Sequence, residues 1–397
     1  MPDKSDTRGG LLAGVRILDL SAYIAGPSAC ALLADMGAEI IKVEPPGGDN
    51  LRHYPSTLAA EGRAFLGVNR SKRGIAIDLK QVQGLEILKR LAGRADVLVH
   101  NFRPSVPARL GIDYATLNAL NPDLIYCTLT GFGETGPLAE RPGYDQVLQG
   151  FTGICTFQGL TENKPEIAHG SVVDFYAGAL LSNAVCAALF HRQRTGEGQA
   201  MSISLLGAAM AMQATRLVWA DSEPRDVGRD MRSGGVTGIH PCADNSWLYL
   251  SASTPHFWEA LCRHIGVPAL ALNPDYDTVR KRSARVGEIV PVIRAALQKH
   301  TALKWEEIIG TDAPCCAIRT VEDMFDNPQT LHENLIARLD HPTVGPYRAF
   351  AGAFQFSTTA NPAPFAAPTL GQHGDEILRE CGYRADEIAQ LRRDGIV

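Results

Sequence analysis

The chain has 397 residues, 45% hydrophobic and 20% charged, the composition of a globular protein large enough for two or three domains. Lys and Arg number 38 against 43 Asp and Glu, a net charge of −5 that argues against a nucleic-acid-binding surface but leaves room for a local basic pocket. The nine cysteines are scattered without a C-x-x-C pair, the usage of a reduced, cytoplasmic protein.

The polar start MPDKSDTRGG reads as a flexible tail with no apolar core for a signal peptide. Val15–Leu20 (VRILDL) is a short apolar run of the buried-strand kind. Gly26-Pro27 then leads a helix through Met36, ended by Gly37, and Ile40–Glu44 (IIKVE) is the next strand. Strand, helix and strand with short connections make a βαβ unit. The pattern repeats as a helix over Val82–Ala95 and strands at Val97–His100 and Leu124–Thr128. The first half is therefore expected to be α/β with a largely parallel sheet. After the first strand, Ser21–Pro27 supplies only one glycine of the G-x-G-x-x-G pattern, which disfavours a nicotinamide site.

The charged, Gly-rich stretch Asp221–Gly238 reads as a linker or loop. Beyond it, a strand at Trp247–Ser251, a helix around His256–Ile265, another through Leu303–Ile309 and a strand near Cys316–Arg319 make a smaller α+β domain. Arg348–Phe356 is strand-like, and Gly371–Leu391 supplies two polar helices. His240-Pro-Cys242 and Cys262-Arg-His264 mirror one another but lack zinc-knuckle spacing, so they read as buried thiols and surface histidines rather than a metal site.

Chemistry concentrates at His169–Gln199. Asp174 stands between a small-residue loop and a nearly all-apolar helical run, Phe175–Phe190, of the kind that lies inside a large core and is short and polar-interrupted for a membrane span. An acid in the first turn of such a helix meets unpaired N–H groups and the positive dipole end, which would hold it ionised. It is either an N-cap or a nucleophile. Asn69–Lys80 (NRSKRGIAIDLK) places Lys72 and Arg73 before a strand and Lys80 after it; Asn101–Gly111 (NFRPSVPARLG) adds Arg103 and Arg109. Cations at strand ends suit a phosphate-bearing ligand, or else form a solvated face. Arg141–Gly150 (RPGYDQVLQG) brings Tyr144 and Asp145.

The chain resembles the class III CoA-transferases, the group that includes formyl-CoA:oxalate and carnitine CoA-transferases. The marks, in family order, are GVRILDLS…AGP, LADMGAEIIKVEPPGGD, NRSKRGIAIDLK, NFRPSVPARLG, GYDQVLQGFTG and RTGEGQAMSISL, and the likeness runs from Gly14 to Leu378. The resemblance implies an α/β fold: a large Rossmann-like domain from both chain ends (1–222 and 331–397), a smaller α+β domain (223–330), and an interlocked, ring-like homodimer. It implies a coenzyme A thioester as substrate and no permanently bound cofactor, with acyl-CoA and a small carboxylic acid as partners and neither nucleic acid nor membrane.

By the same resemblance, Asp174 is the catalytic aspartate and Ala22, Tyr23, Ile24 and Ala25 form the turn that meets CoA. Ile77, Lys80, Asn101, Phe102 and Arg109 line the nucleotide and pantetheine path, Tyr144 is an active-site tyrosine, and Gly234-Gly235 resembles a mobile glycine loop. Ile24 replaces the glutamine of oxalate-specific relatives, which disfavours oxalate. Pro45 replaces an arginine near the adenine, leaving the nucleotide to Lys72, Arg73, Lys80 and Arg109. Arg103, His169 and His240 are candidates to meet a second carboxylate. The rival readings are an α-methylacyl-CoA racemase, whose histidine is replaced here by Tyr144, and a catalytically silent acyl-CoA-binding protein.

Overall fold

The computed structural model describes residues 9–58, 60–157, 164–224 and 236–397. Contacts divide the chain into two compact units, Met1–Leu217 with Pro328–Val397, and Val218–Asn327.

In the larger unit the sequence runs β1 (Arg16–Asp19), α1 (Ala25–Asp35), β2 (Glu39–Glu44), α2 (Arg63–Val68), β3 (Lys72–Ala76), α3 (Val82–Ala92), β4 (Val97–His100), α4 (Ser105–Leu110), α5 (Tyr114–Asn118) and β5 (Ile125–Thr130). It continues with α6 (Asp145–Thr152), α7 (Val172–Thr195), β6 (Gln199–Ser204) and α8 (Leu205–Ala211). The six strands pair in the order β3-β2-β1-β4-β5-β6, every pairing parallel. Order reverses between β1 and β4, where open α/β sheets leave a crevice at the strands' carboxyl ends. Both faces are covered, so the strands read as continuous apolar runs rather than alternating ones. Ile17, Val97, Val99 and Cys127 pack on the α1, α7 and α8 side; Leu18, Leu98 and Tyr126 pack on the α3 side, with helices Gly374–Glu380 and Ala385–Arg393.

Two elements depart from the sequence reading. β6 was not expected; after Gly196 and Gly198 the run Gln199–Ser204 joins the sheet edge beside β5. Lys72 and Arg73 do not precede the third strand but begin it, so their side chains obey the strand's alternation.

The helix α7 spans 24 residues and is long and apolar enough to cross a membrane by length and composition, because it extends beyond both ends of Phe175–Phe190. One stripe, from Val173 through Ala177, Leu181 and Val185, is buried against α1 and the sheet. A β-carbon at Gly178 would lie 2.8 Å from the Ala25 carbonyl oxygen, so glycine sets how closely α7 approaches α1. The opposite stripe is not inside the chain's core as expected: Phe175, Tyr176 and Phe190 are 48%, 38% and 62% exposed.

The smaller unit carries an antiparallel sheet of β7 (Gly238–Pro241), β8 (Trp247–Leu250) and β9 (Cys315–Ala317). Its helices close a core on Trp258, Leu261 and Trp305. His240, Cys242 and Cys262 are buried, and His264 pairs with Asp312 at 2.6 Å. No cluster of potential metal ligands occurs among the described residues. The last two strands, β10 (Ile336–His341) and β11 (Gly345–Phe350), form an antiparallel hairpin in the larger unit; β11 ends before the expected Phe356.

Candidate active site

The carboxyl ends of β1 to β5 border a cleft of about 640 Å³, and the start of α7 reaches its wall. Ala22, Tyr23, Ile24 and Ala25 line it from the β1–α1 turn, Ile77 and Lys80 from beyond β3, Asn101, Phe102, Arg103 and Arg109 from beyond β4, and Tyr144 and Asp174 from α6 and α7. Pro45 and Arg141 also face it. No histidine lines it among the described residues.

The β1–α1 turn is held from every side. The Ala22 N–H donates to Asn101 Oδ1 at 2.9 Å, and Asn101 Nδ2 returns a bond to the Ala22 carbonyl at 2.8 Å. Asn101 is thus fixed to the turn by both ends of its amide. Ser21 donates to Asp19 Oδ1 through its N–H, Lys42 donates to the Ser21 carbonyl, and the Tyr23 N–H points at Asp49 Oδ1, 3.3 Å away. Tyr23 sits at φ +65°, a left-handed conformation that costs a side-chain-bearing residue about 1–3 kcal/mol and persists only where surroundings over-determine it.

Four expected ligands lie elsewhere or beyond description. Lys72 is fully buried; its Nζ donates to Asp19 Oδ2 and the Pro27 carbonyl at 2.8 Å and to Asn69 Oδ1 at 2.9 Å. With all three donors occupied it has none for a phosphate. Arg73, on the other strand face, pairs with Glu39, Glu376 and Glu380 at 2.7, 3.0 and 2.7 Å, tying β3 to helix Gly374–Glu380. Gly234 and Gly235 lie outside the described residues. Lys80, Arg103 and Arg109 are exposed cleft cations that no ion pair engages among the described residues. His169 is exposed away from the cleft lining, and His240 is buried in the smaller unit with Nε2 3.2 Å from the Val236 carbonyl.

The environment of Asp174 corrects the sequence argument. Asp174 is the third residue of α7, but the helix's free N–H groups are satisfied by another carboxylate. Asp145 Oδ2 accepts from Val173 N at 2.6 Å and Asp174 N at 3.1 Å, while Gln149 Nε2 donates to Asp145 Oδ1 at 2.5 Å. Asp145 is therefore the cap, delivered from the first turn of α6. Burial, and then the nearby Asp145 charge, push the Asp174 carboxyl up to about 7 rather than holding it ionised. Of the two roles the sequence left open for Asp174, the cap belongs to Asp145, to which the sequence gave no role.

A strand-end cleft lined by a largely buried carboxyl group, exposed cations and an over-determined turn suits an anionic ligand. The chain belongs to CoA-transferase family III, which it matches over residues 12–374, and it is an enzyme of that family. It is 32% identical over 395 residues to the succinyl-CoA:glutarate CoA-transferase of Mus musculus, covering 97% of this chain and 90% of the relative. It is 33% identical over 381 residues to the succinate–glutarate CoA-transferase of Agrobacterium fabrum, covering 93% and 95%. Among solved structures, a CAIB/BAIF family protein from Brucella suis superposes with a TM-score of 0.82 at 28% identity, covering 94% of this chain and all of that one (100%).

Proposed function

We propose that this enzyme moves CoA from an acyl-CoA donor to a small dicarboxylic acid through covalent intermediates on Asp174. The observation that carries this reading is the desolvated Asp174 carboxyl at the start of α7, on the wall of the cleft that Tyr144 also lines. A carboxylate out of water is a better nucleophile than a solvated one, provided it has lost its proton.

In the first step an Asp174 oxygen adds to the thioester carbonyl, the C–S bond breaks, and CoA leaves as thiolate. The thiolate then attacks the Asp174 carbonyl of the anhydride, freeing the donor acid and leaving an aspartyl-CoA thioester. The acceptor carboxylate attacks that thioester, giving a second anhydride and thiolate. Attack of the thiolate on the acceptor's acyl carbon releases the new acyl-CoA and restores Asp174. Each step passes an oxyanion, for which the Tyr144 hydroxyl is the donor we assign; one such donor is worth about 3 kcal/mol.

Lys80 and Arg109 suit the nucleotide phosphates, and Arg103 and Arg141, at the same cleft, suit a second carboxylate. The relatives named for succinate and glutarate support a dicarboxylate. A racemase would need a proton acceptor opposite Asp174, and the cleft offers a tyrosine, Tyr144, in place of a histidine. The exposed apolar stripe of α7 supports an obligate homodimer, since a face with Phe175, Tyr176 and Phe190 is stabilised by covering. All nine cysteines are free, which suits the cytoplasm.

The test is to incubate the enzyme with succinyl-CoA, add hydroxylamine or borohydride, and map the modified residue by mass spectrometry, followed by a panel of small carboxylates as acceptors. Modification at Asp174 is expected. A binding protein would show none, and the carboxylate reading would then be abandoned.

A further inference from the structure

Gln149 lines no part of the cleft, yet it is fully buried and both hydrogens of its amide are used. It lies one turn after Asp145 on the same face of α6. Its Oε1 accepts from the Ala168 N–H at 2.9 Å, while Nε2 donates to the Ala168 carbonyl at 2.8 Å and to Asp145 Oδ1 at 2.5 Å. A backbone N–H can only donate and a carbonyl only accept, so the amide has one orientation and turns its N–H side to Asp145. With Oδ1 held in this way, Asp145 Oδ2 meets the N–H groups of Val173 and Asp174. Between Ala168 and α7 the backbone is left-handed at Gly170 (φ +96°) and Ser171 (φ +57°). A serine before a helix ordinarily caps it from an extended conformation, but Ser171 makes no such bond. The start of α7 is therefore set by two buried side chains of α6, one gripping the chain at Ala168 and the other at Val173 and Asp174.

We propose that Gln149 is a positioning residue for the nucleophile: it anchors the approach to α7 at Ala168 and orients Asp145, so that the first turn of α7 holds the Asp174 carboxyl in one attack geometry. This rests on the assignment of Asp174 as nucleophile. Gln149 moves no proton and touches no substrate; it acts only through where the helix begins. A shift of about 1 Å at a reacting atom can cost about a hundredfold in rate. The left-handed Ser171 gives such a shift a direction, since a strained backbone persists only while its surroundings over-determine it. Released from Ala168 and Asp145, that segment would relax and carry Asp174 with it.

The experiment compares Gln149→Met, Gln149→Glu, Asp145→Asn and the Asp145→Asn/Gln149→Glu double variant in the full-length enzyme at pH 8, using the donor and acceptor that the panel shows to be turned over. Gln149→Met keeps the length of the side chain but loses the amide, and should lower kcat about ten- to a hundredfold with donor KM within about twofold. Asp145→Asn sets one amide N–H group against another, and Gln149→Glu sets carboxylate against carboxylate, so each should lower kcat about tenfold. The double variant reverses the bond: the Asn amide donates to the Glu carboxylate, while acceptors still face Ala168 N–H and α7. It should be about tenfold faster than either single variant, although each change alone is harmful. Should Gln149→Met fail to fold, this exchange decides, being near-isosteric at both positions and neutral in net charge. Wild-type kcat in folded Gln149→Met, a loss confined to KM, or a double variant whose loss is the product of the two single ones would overturn the proposal while leaving Asp174 in place. Acylation mapped to a residue other than Asp174 would instead remove the nucleophile assignment and this inference with it.

Discussion

Asp19 and Asp174 are both carboxylates withdrawn from solvent in the larger unit, and they are driven in opposite directions. Burial alone would raise Asp19, but Lys42 and then Lys72 outweigh it and hold the group below the usual carboxylate range. Lys72 Nζ stands 2.8 Å from it and Lys42 Nζ 3.9 Å. Asp174 has burial without such compensation, and the charge that acts on it is another acid, Asp145, so it rises to about 7. A buried charge that is paired is framework; one left beside a like charge is poised to react. Exchanging or removing their partners should separate the two roles.

The largest effect is expected at Asp174. Asp174→Asn should abolish transfer, by at least about a thousandfold, with the fold and CoA binding retained. Asn is near-isosteric and the α7 cap belongs to Asp145, so the helix start has no reason to change. An Asn variant keeping a tenth of wild-type turnover, with deamidation excluded, contradicts the nucleophile assignment.

Lys72→Met tests the other side. It strands Asp19 without its closest cation and should cost about 3–5 kcal/mol of stability, read as a lower urea midpoint. A variant of unchanged stability with weakened CoA binding would restore Lys72 to the ligand role that the sequence suggested. Arg109→Ala, at an exposed cleft position, should do what Lys72→Met does not: raise donor KM about ten- to a hundredfold at nearly constant kcat. A collapse of kcat at constant KM would place Arg109 at the reacting carbonyl.

These contrasts also explain what the chain disclosed in advance. Periodicity was enough for β1, β2 and β4, because strands buried on both faces are continuous apolar runs, and family motifs placed Asp174, Tyr144 and the Ala22–Ala25 turn at one cleft. Lys72 and Arg109 look alike in sequence: each is a cation near a strand end. What divides them is whether a carboxylate from another strand is waiting, and Asp19 lies 53 residues from Lys72. A hint was available, since Asp19, Lys42 and Glu44 are charges inside apolar strands and a buried charge requires a partner. The capping role of Asp145 was hidden for a similar reason: it acts on a helix that begins 27 residues later, a relation that local capping patterns do not contain.

The smallest effect concerns protons. Below about 7 the Asp174 carboxyl is increasingly protonated, and a protonated acid is no nucleophile, so kcat/KM for the donor should fall about tenfold per pH unit on the acid side and level off above. Asp145→Asn removes the like charge, lowers the Asp174 pKa, and should move that limb to lower pH by less than about one unit, since burial is the larger cause. At pH 8 the same variant should be slower, because an amide oxygen caps α7 less strongly than a carboxylate. Stability runs the opposite way. The unfolded chain releases the Asp174 proton near 4, the usual value, while the folded protein holds it until about 7, so folding is favoured below that window and loses stability as pH rises through it. Asp174→Asn should therefore flatten the decline in Tm between pH 5 and 8, whereas Lys72→Met should leave that part of the profile unchanged. If Tm declines equally in wild type and Asp174→Asn, the Asp174 proton is not held in the folded state, and the acid limb of kcat/KM must belong to another group.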